Sequence, residues 1–418
     1  MSDVASELLD EWNEWIKPTY VNRQGQTKKT TAELWRDANP GENQQLLAYR
    51  NGAISKPSLA SNLGRQMVEH VEAWLLAKSV DPPPPPPPPP PPDTKFGELL
   101  PARLVRPSGT TYEASTISQL TSLLGSVPNG STINIVSDLN GGGNVMQFTR
   151  VASGAAPIRI TSKPGIQLTN FAMIEVRGAY LLLDALDVGY GTIDGIKINV
   201  SAHDVEVSGS NVHHAKRQGI NIQDSPMNVQ VWNNRIYSNG SDTNQDHGIY
   251  FGHANGKCVV ANNVLFDNQA YQIQLYPAAS GVICVCNTVD GGATRGGIVI
   301  GSESGTTDGV IVAGLIATNA PWYGIDIYNP SGGDTGNKAF DSLGFGNKLG
   351  DWRTNSSIVY EACDHVDPLY VNRSGKDFRL SAGSPAIGKI QTARYGYVPS
   401  TDINGKARTT ADAGAFAA

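Results

Sequence analysis

Apolar residues return in a fixed rhythm between residues 195 and 330. Gly-Ile-Lys-Ile at Gly195–Ile198 comes back as Gly-Ile-Asn-Ile (Gly219–Ile222), then as Gly-Ile-Tyr-Phe (Gly248–Phe251) and Gln-Ile-Gln-Leu (Gln272–Leu275). Gly-Ile-Val-Ile (Gly297–Ile300) and Gly-Ile-Asp-Ile (Gly324–Ile327) complete the series. Apolar and polar letters alternate inside each quartet, which is the period of a strand. A second apolar run follows in each period and ends at Asn211, Asn234, Asn263, Asn287 and Gly314. Strand-sized units at a fixed period bury their apolar faces only against their neighbours, so they stack as coils. The pattern predicts a parallel β-helix.

The flanks follow different patterns. Val4, Leu8, Leu9, Trp12 and Ile16 form a helical stripe, as do Leu59, Leu63, Met67, Val71, Trp74 and Leu75. Thr30-Thr31-Ala32-Glu33 supplies a capping box before Leu34 and Trp35. Residues 1–80 are therefore expected to form a small helical domain that docks on a partner, because so short a piece buries little core alone. Pro82–Pro92 is unbroken proline. Residues 81–95 are expected to be a stiff linker, a polyproline rod of roughly 34 Å that sets the reach between two domains. Ser118–Leu124 reads as a short helix and Thr132–Val136 as the entry strand, with irregular early coils at Ile158–Ile160, Ile174–Val176 and Leu181–Leu183. Residues 331–418 read as an irregular closing segment, and the glycines at 332–333, 344 and 346 as turns without the context of a phosphate loop. The β-helical body is expected to span 96–418.

Alternation assigns faces. Ile196/Ile198, Ile220/Ile222, Ile249/Phe251, Ile273/Leu275, Ile298/Ile300 and Ile325/Ile327 point inward. One outward row is Lys197, Asn221, Tyr250, Gln274, Val299 and Asp326, and the next is Asn199, Gln223, Gly252, Tyr276, Gly301 and Tyr328. Amide, phenol and acid groups ranked at the ~4.8 Å strand spacing suit a saccharide chain, with rings on sugar faces and amides on hydroxyls. The expected glycan-binding residues are Lys197, Asn199, Asn221, Gln223, Tyr250, Gln274, Tyr276, Asp326 and Tyr328. The Asn row is read as structural, each amide bonding the next coil.

An insertion, Ser238–Asp246, brings Asp242, Asp246 and His247 beside the strand that carries Tyr250. These four are the catalytic candidates. A glycoside hydrolase needs two carboxyls roughly 5–9.5 Å apart. Asp326 and Asp224 lie too many coils apart for this, which leaves Asp246 with Asp242 or Asp194. A lyase needs a base and a cation that neutralises a uronate. His247 or Tyr250 could serve as base, and Lys197, Arg217 or Arg235 as the cation. No acidic cluster suggests a metal, and no cofactor is expected. His213-His214 reads as a polar turn. Cys258, Cys284 and Cys286 share the inward parity of one strand row and read, with Cys363, as reduced thiols.

Composition narrows the partners. A net charge of -6 and a pI near 5.7 exclude the clustered basic charge of a nucleic-acid binder. No apolar run spans a membrane. Met-Ser-Asp-Val-Ala-Ser-Glu lacks the basic and apolar regions of a secretory signal, so synthesis in a cytoplasm without that export route is expected.

Three stretches resemble a known family. Val-Pro-Asn-Gly-Ser-Thr-Ile-Asn-Ile (Val127–Ile135) is similar to the entry coil of right-handed parallel β-helix proteins of the pectate-lyase-like superfamily. Asn233–Gly252 is similar to their coil repeat, and Asp377–Gly388 with Thr401–Phe416 to their closing segment. The resemblance implies an all-β, right-handed parallel β-helix, and it carries no catalytic set onto this chain, because the superfamily holds lyases, hydrolases, epimerases and binders. A helical domain and proline rod on such a body resemble a minor tail protein or tailspike of a tailed bacteriophage. That architecture implies a virion tail location, other tail proteins as partners of residues 1–80, and host-surface polysaccharide as ligand of the β-helix. Binding is expected over cleavage, with a lyase or hydrolase and a purely structural tail-tip part as alternatives. A homotrimer would add avidity, although no heptad region encodes one.

Overall fold

The structure, a computed structural model, describes residues 96–418 apart from 224–226, 255–256, 304 and 331. The helical domain of 1–80 and the linker of 81–95 lie outside the described residues.

Each coil contributes one short strand to each of three parallel sheets. One turn runs from Ile196–Ile198 through His203–Ser208 and Asn211–His213 to Ile220–Ile222, which lies beside the starting strand. Repetition builds sheets of 11, nine and ten strands in sequence order, so every neighbour is the equivalent strand of the next coil. The six quartets supply six consecutive strands of the nine-stranded sheet. Ile196 pairs with Ile220, Ile220 with Ile249, Ile249 with Ile273, Ile273 with Ile298 and Ile298 with Ile325. All are fully buried. A β-carbon on Gly219 would lie 2.6 Å from the Gly248 carbonyl oxygen, and one on Gly248 would lie 2.6 Å from that of Gln272. Backbone approaches that closely at the corner entering the sheet, which is why Gly opens most quartets.

The corner between the 11- and ten-stranded sheets repeats as a left-handed residue followed by a buried polar one. Asn233, Asn262 and Cys286 have φ of 57, 55 and 50°. Asn234, Asn263 and Asn287 follow them and bond coil to coil. The Asn263 Oδ1 accepts from the backbone and side-chain amides of Asn234, and the Asn287 Oδ1 accepts from those of Asn263. Ser210, not Asn211, occupies the equivalent place below, since the Ser210 N–H donates to the Asn234 Oδ1. Asn211 starts the next strand and pairs with Arg235. Gly314 is displaced in the opposite sense, one residue early, because Thr288 pairs with Ile316. A second ladder, Asn239 to Asn268, closes on the Gln272 Oε1 and explains the one quartet that opens with Gln. The left-handed corner also turns Cys286 outward, where it packs with Ile390, Tyr395 and Val398, while Cys258 and Cys284 face the main core. The shared inward parity read from sequence thus fails at Cys286.

Both ends of the solenoid are managed. The helix Ile117–Ser126, capped by Thr116, buries Leu120 and Leu124 against the first two strands of the 11-stranded sheet. Coiling continues past residue 330, through Asn337–Phe340, Leu343–Phe345 and Gly350–Trp352 to Asp364–His365. The irregular segment therefore begins later than the sequence suggests, and Gly344 sits in a strand. From there the chain runs back over the ten-stranded sheet. Arg373 pairs with Asp290 at 2.7 Å, Lys376 with Asp267 at 2.7 Å, and the Ala415 N–H donates to the Thr288 hydroxyl. At the other end of the described chain, Arg103, Arg106 and the Leu104 N–H converge on buried Glu206. The Leu99 N–H donates to the Gly396 carbonyl, which ties this arm to the closing segment.

Candidate functional site

The nine-stranded sheet fixes the register of the outward row as Lys197, Asn221, Tyr250, Gln274, Val299, Asp326. Gln147 and Glu175 extend it toward the chain start. The neighbouring row brings Tyr276 and Tyr328 into contact, with ring centroids 5.9 Å apart. Gly301 lies between them in the stack, paired with Tyr328, and a β-carbon there would lie 1.9 Å from the Tyr328 carbonyl oxygen. Absence of a side chain at Gly301 leaves room for two tyrosines from alternate coils to meet. Tyr250 shares this face: a β-carbon on Gly252 would lie 3.0 Å from its ring and 3.5 Å from Pro277, the residue after Tyr276.

Exposure along the row differs from a continuous strip. Asn221, Gln274 and Asp326 are 4, 8 and 0 % exposed. Groups stacked at strand spacing meet one another before they meet solvent, and buried polar groups must be satisfied. Asn221 donates to Asp194 at 2.8 Å, and Asn199 donates to Glu175 at 2.8 Å. Asp326 accepts the Tyr271 hydroxyl at 2.5 Å and is paired with Arg353 at 2.9 Å. Lys197, Asn199, Gln223, Tyr250 and Tyr276 are half-buried, and Tyr328 is exposed. The accessible surface therefore separates into a charged patch around Lys197, Asn199 and Arg177 above buried Glu175, and an aromatic patch around Tyr250, Tyr276 and Tyr328.

Electrostatics follow the packing. Burial would raise the Glu175 carboxyl, yet hydrogen bonds from Arg177, Asn199 and Gln147 hold it below its ordinary range. Burial pushes Asp194 up against the pull of Asn221 and Gln218. Burial and then the charge and hydrogen bond of Asp326 drive Tyr271 far upward, and burial and then Glu303 do the same for Tyr276. Both hydroxyls are held protonated.

The insertion Ser238–Asp246 stands at the strand-entry edge. The Asp246 Oδ2 accepts the backbone N–H groups of Ser241 and Asp242 at 2.8 and 2.6 Å, and the carboxylate is 2 % exposed. Asp242 accepts the N–H groups of Asn244 and Gln245. Both carboxylates shape the loop, as Asp does in turns. His247 is 1 % exposed, and its Nδ1 accepts the Tyr271 N–H at 3.2 Å. Burial, with the Arg295 charge added, drops its pKa to about 3, so the ring is neutral. The loop is pinned from above: the Thr294 hydroxyl donates to the Thr243 carbonyl, Arg295 donates to Asn244, and Arg295 lies 3.9 Å over the Trp322 ring.

Other candidates lie elsewhere. Arg235 packs over Phe416 under the closing segment, away from this face. Arg217 approaches Asp246 at 3.8 Å. His214 is a left-handed corner residue (φ 54°), and His213 bonds both it and Asp187, so the pair forms a structured turn. Asp224 is outside the described residues. Sequence reasoning missed Glu175, Tyr271, Arg295 and Arg353. Extending the register one coil back from Lys197 would have found Glu175, whereas the tertiary contact between Tyr271 and Asp326 crosses an intervening coil and has no local signal.

Comparison with known proteins agrees with this geometry. The family model described as "Right handed beta helix region" matches residues 129–289 and 174–339, together half of the chain. The chain belongs to the right-handed β-helix family. A search of curated proteins finds no match. Among solved structures, pectate lyase Pel9A is similar with a TM-score of 0.56 at 13% identity, covering 74% of this chain and 96% of that one. An alginate lyase from Paenibacillus sp. str. FPU-7 gives 0.42 at 16% identity, covering 60% and 98%. The Dettilon tailspike protein gives 0.36 at 12% identity, covering 55% and 46%. At these identities the first likeness shows the fold alone.

Proposed function

We propose that this protein binds a surface polysaccharide through the nine-stranded face and does not cleave it. The observation that carries the reading is the contact of Tyr276 with Tyr328 over Gly301, beside Tyr250. Three phenol rings on one face, two of them touching, offer an apolar platform with polar rims, which suits the faces of sugar rings. Lys197, Asn199 and Gln223 add hydrogen-bonding groups further down the same face. Binding is favoured over cleavage because the Asp246 carboxylate is buried and bonded to the loop backbone, which leaves Asp242 without a second reachable carboxylate in the insertion, and His247 is enclosed and neutral. A general base must reach the proton it removes.

The proposed setting is a phage tail, with residues 1–80 docking on other tail proteins and Pro82–Pro92 as spacer. Support for it comes from the order of segments in the sequence: helical piece, proline run, β-helix. Three copies side by side would multiply weak glycan contacts. Affinity electrophoresis against a panel of bacterial capsular and lipopolysaccharide O-chain polysaccharides tests the reading. Retardation by at least one polysaccharide, lost in the Tyr276→Ala/Tyr328→Ala variant, is expected. Release of reducing ends or of unsaturated uronate absorbance by the intact protein would replace binding with catalysis.

A further inference from the structure

A cavity of about 490 Å³ lies on a different face, between the ten-stranded sheet and the closing segment. Thr318, Asn319 and Phe345 line it from the coils, and Asp367, Leu369, Tyr370, Arg373 and Ser381 from the segment that folds back. Its volume falls within the ~300–1,000 Å³ of small-molecule sites. The outward row beneath it runs Phe266, Asp290, Thr318, Phe345. Val366–Leu380 retraces that row in reverse, setting Tyr370 near Thr318, Arg373 on Asp290 and Phe378 on Phe266.

The lining carries hydrogen-bonding capacity that the fold does not use. Arg373 bonds Asp290 through Nε alone, which leaves both Nη groups without a partner among the described residues. Asp290 is 1 % exposed and also accepts from Thr318 and Asn319, so the carboxylate that receives the Arg373 Nε is fixed in place. Asn319 donates through Nδ2 and keeps Oδ1 open, and Asp367 caps the Leu369 N–H through Oδ1 and keeps Oδ2 open. The Ser381 hydroxyl also has no partner among the described residues. Donors, acceptors and a hydroxyl thus surround two unusually exposed apolar side chains, Phe345 at 40 % and Leu369 at 42 %.

We propose that this cavity binds one uncharged pyranose ring, independently of the nine-stranded face. An apolar wall matched to a ring face, with donors and acceptors at the rim, is the complement of a ring carrying adjacent hydroxyls. Charge selects the neutral sugar: Arg373 is already neutralised by buried Asp290, and Asp367 has no cation partner among the described residues, so a uronate or phosphate would meet an uncompensated anion. A ring of about a dozen heavy atoms at the ligand efficiency of drug-sized molecules gives a Kd on the order of 1 mM.

Saturation-transfer NMR on the full chain, titrated separately with D-glucose, D-galactose, D-mannose, D-glucuronate and inorganic phosphate, tests this. At least one neutral hexose should bind, and glucuronate and phosphate should not. Phe345→Ala should weaken binding about ten-fold or more. Asp290→Asn/Arg373→Gln, which removes both charges together, should do the same, and if that variant fails to fold, Phe345→Ala and Ser381→Ala carry the test. Tyr276→Ala/Tyr328→Ala should leave hexose binding unchanged. Silence from all three hexoses at about 20 mM, tighter binding of glucuronate or phosphate, or sensitivity to the tyrosine pair in place of Phe345 would overturn the proposal. Failure of polysaccharide binding at the tyrosine face would leave the hexose result standing, so the two readings fail separately.

Discussion

Replacing Asn263 by Ala should cost far more than replacing Asn211, although both end an apolar run in the repeat. The Asn263 side chain makes four hydrogen bonds of 2.9–3.0 Å: it accepts from the Asn234 N–H and Nδ2, and it donates to the Val231 carbonyl and the Asn287 Oδ1. Ala removes all four. Asn234 Nδ2 keeps the Val207 carbonyl, and Asn287 Oδ1 keeps the Asn263 N–H. The Asn234 backbone N–H keeps nothing among the described residues, and Asn234 is fully buried. A stranded buried donor costs about 1–3 kcal/mol, and each of the other three lost bonds about 1 kcal/mol, for a total of about 4–6 kcal/mol. Asn211 is half-buried and its side chain makes no hydrogen bond among the described residues, so Asn211→Ala should stay within about 0.5 kcal/mol of the parent. Guanidinium unfolding followed by circular dichroism, with unchanged m-values, measures both. If Asn263→Ala falls within about 1 kcal/mol of the parent, or Asn211→Ala costs as much as Asn263→Ala, the ladder does not hold the coils as described.

Other consequences are open to direct measurement. His247 binds a proton near pH 6.5 when unfolded but resists it down to about 3 when folded. The unfolded state therefore holds the extra proton between those values, and stability is lost as pH falls from about 6.5 to about 3, by up to about 4–5 kcal/mol. Melting temperature against pH should show a shallower slope in His247→Gln, and an identical slope would refute the assignment. Burial pushes Cys258 and Cys286 up to about 11 and Cys284 up to about 12. At pH 8 the native protein should expose no thiol to a disulfide reagent faster than Cys363, with the other three reacting only on unfolding; rapid modification of Cys284 would contradict the packing. Gly248→Ala places a methyl 2.6 Å from the Gln272 carbonyl and should destabilise by about 1–3 kcal/mol, read from the same unfolding curves.

The fold was legible because its signal is local and repeated. Every Ile-x-Ile quartet announces a strand, and quartets at a fixed period must stack, so the register from Lys197 to Asp326 follows from the letters alone. Corners were harder to read. Ser210 and Asn234 share a column although their side chains differ, and a shift of one residue put Asn211 there instead. The candidate face was legible in membership but not in exposure. Whether Asp326 meets solvent depends on Tyr271 and Arg353, which reach it from other coils, and sequence spacing does not encode side-chain reach. The cavity beside Arg373 was out of view for a related reason: it exists only because residues 366–381 double back over coils formed much earlier in the chain.

A stack whose coils touch only their neighbours can fray from either tip, one turn at a time. Here the arm at residues 99–106 and the doubled-back tail act like lashings on a coiled rope. They grip coils near Glu206, Asn262 and Asp290 and are knotted to each other at Leu99 and Gly396. Loosening one turn therefore strains a binding that spans many, and a body built from repeats gains the all-or-none resistance to unravelling of a single block.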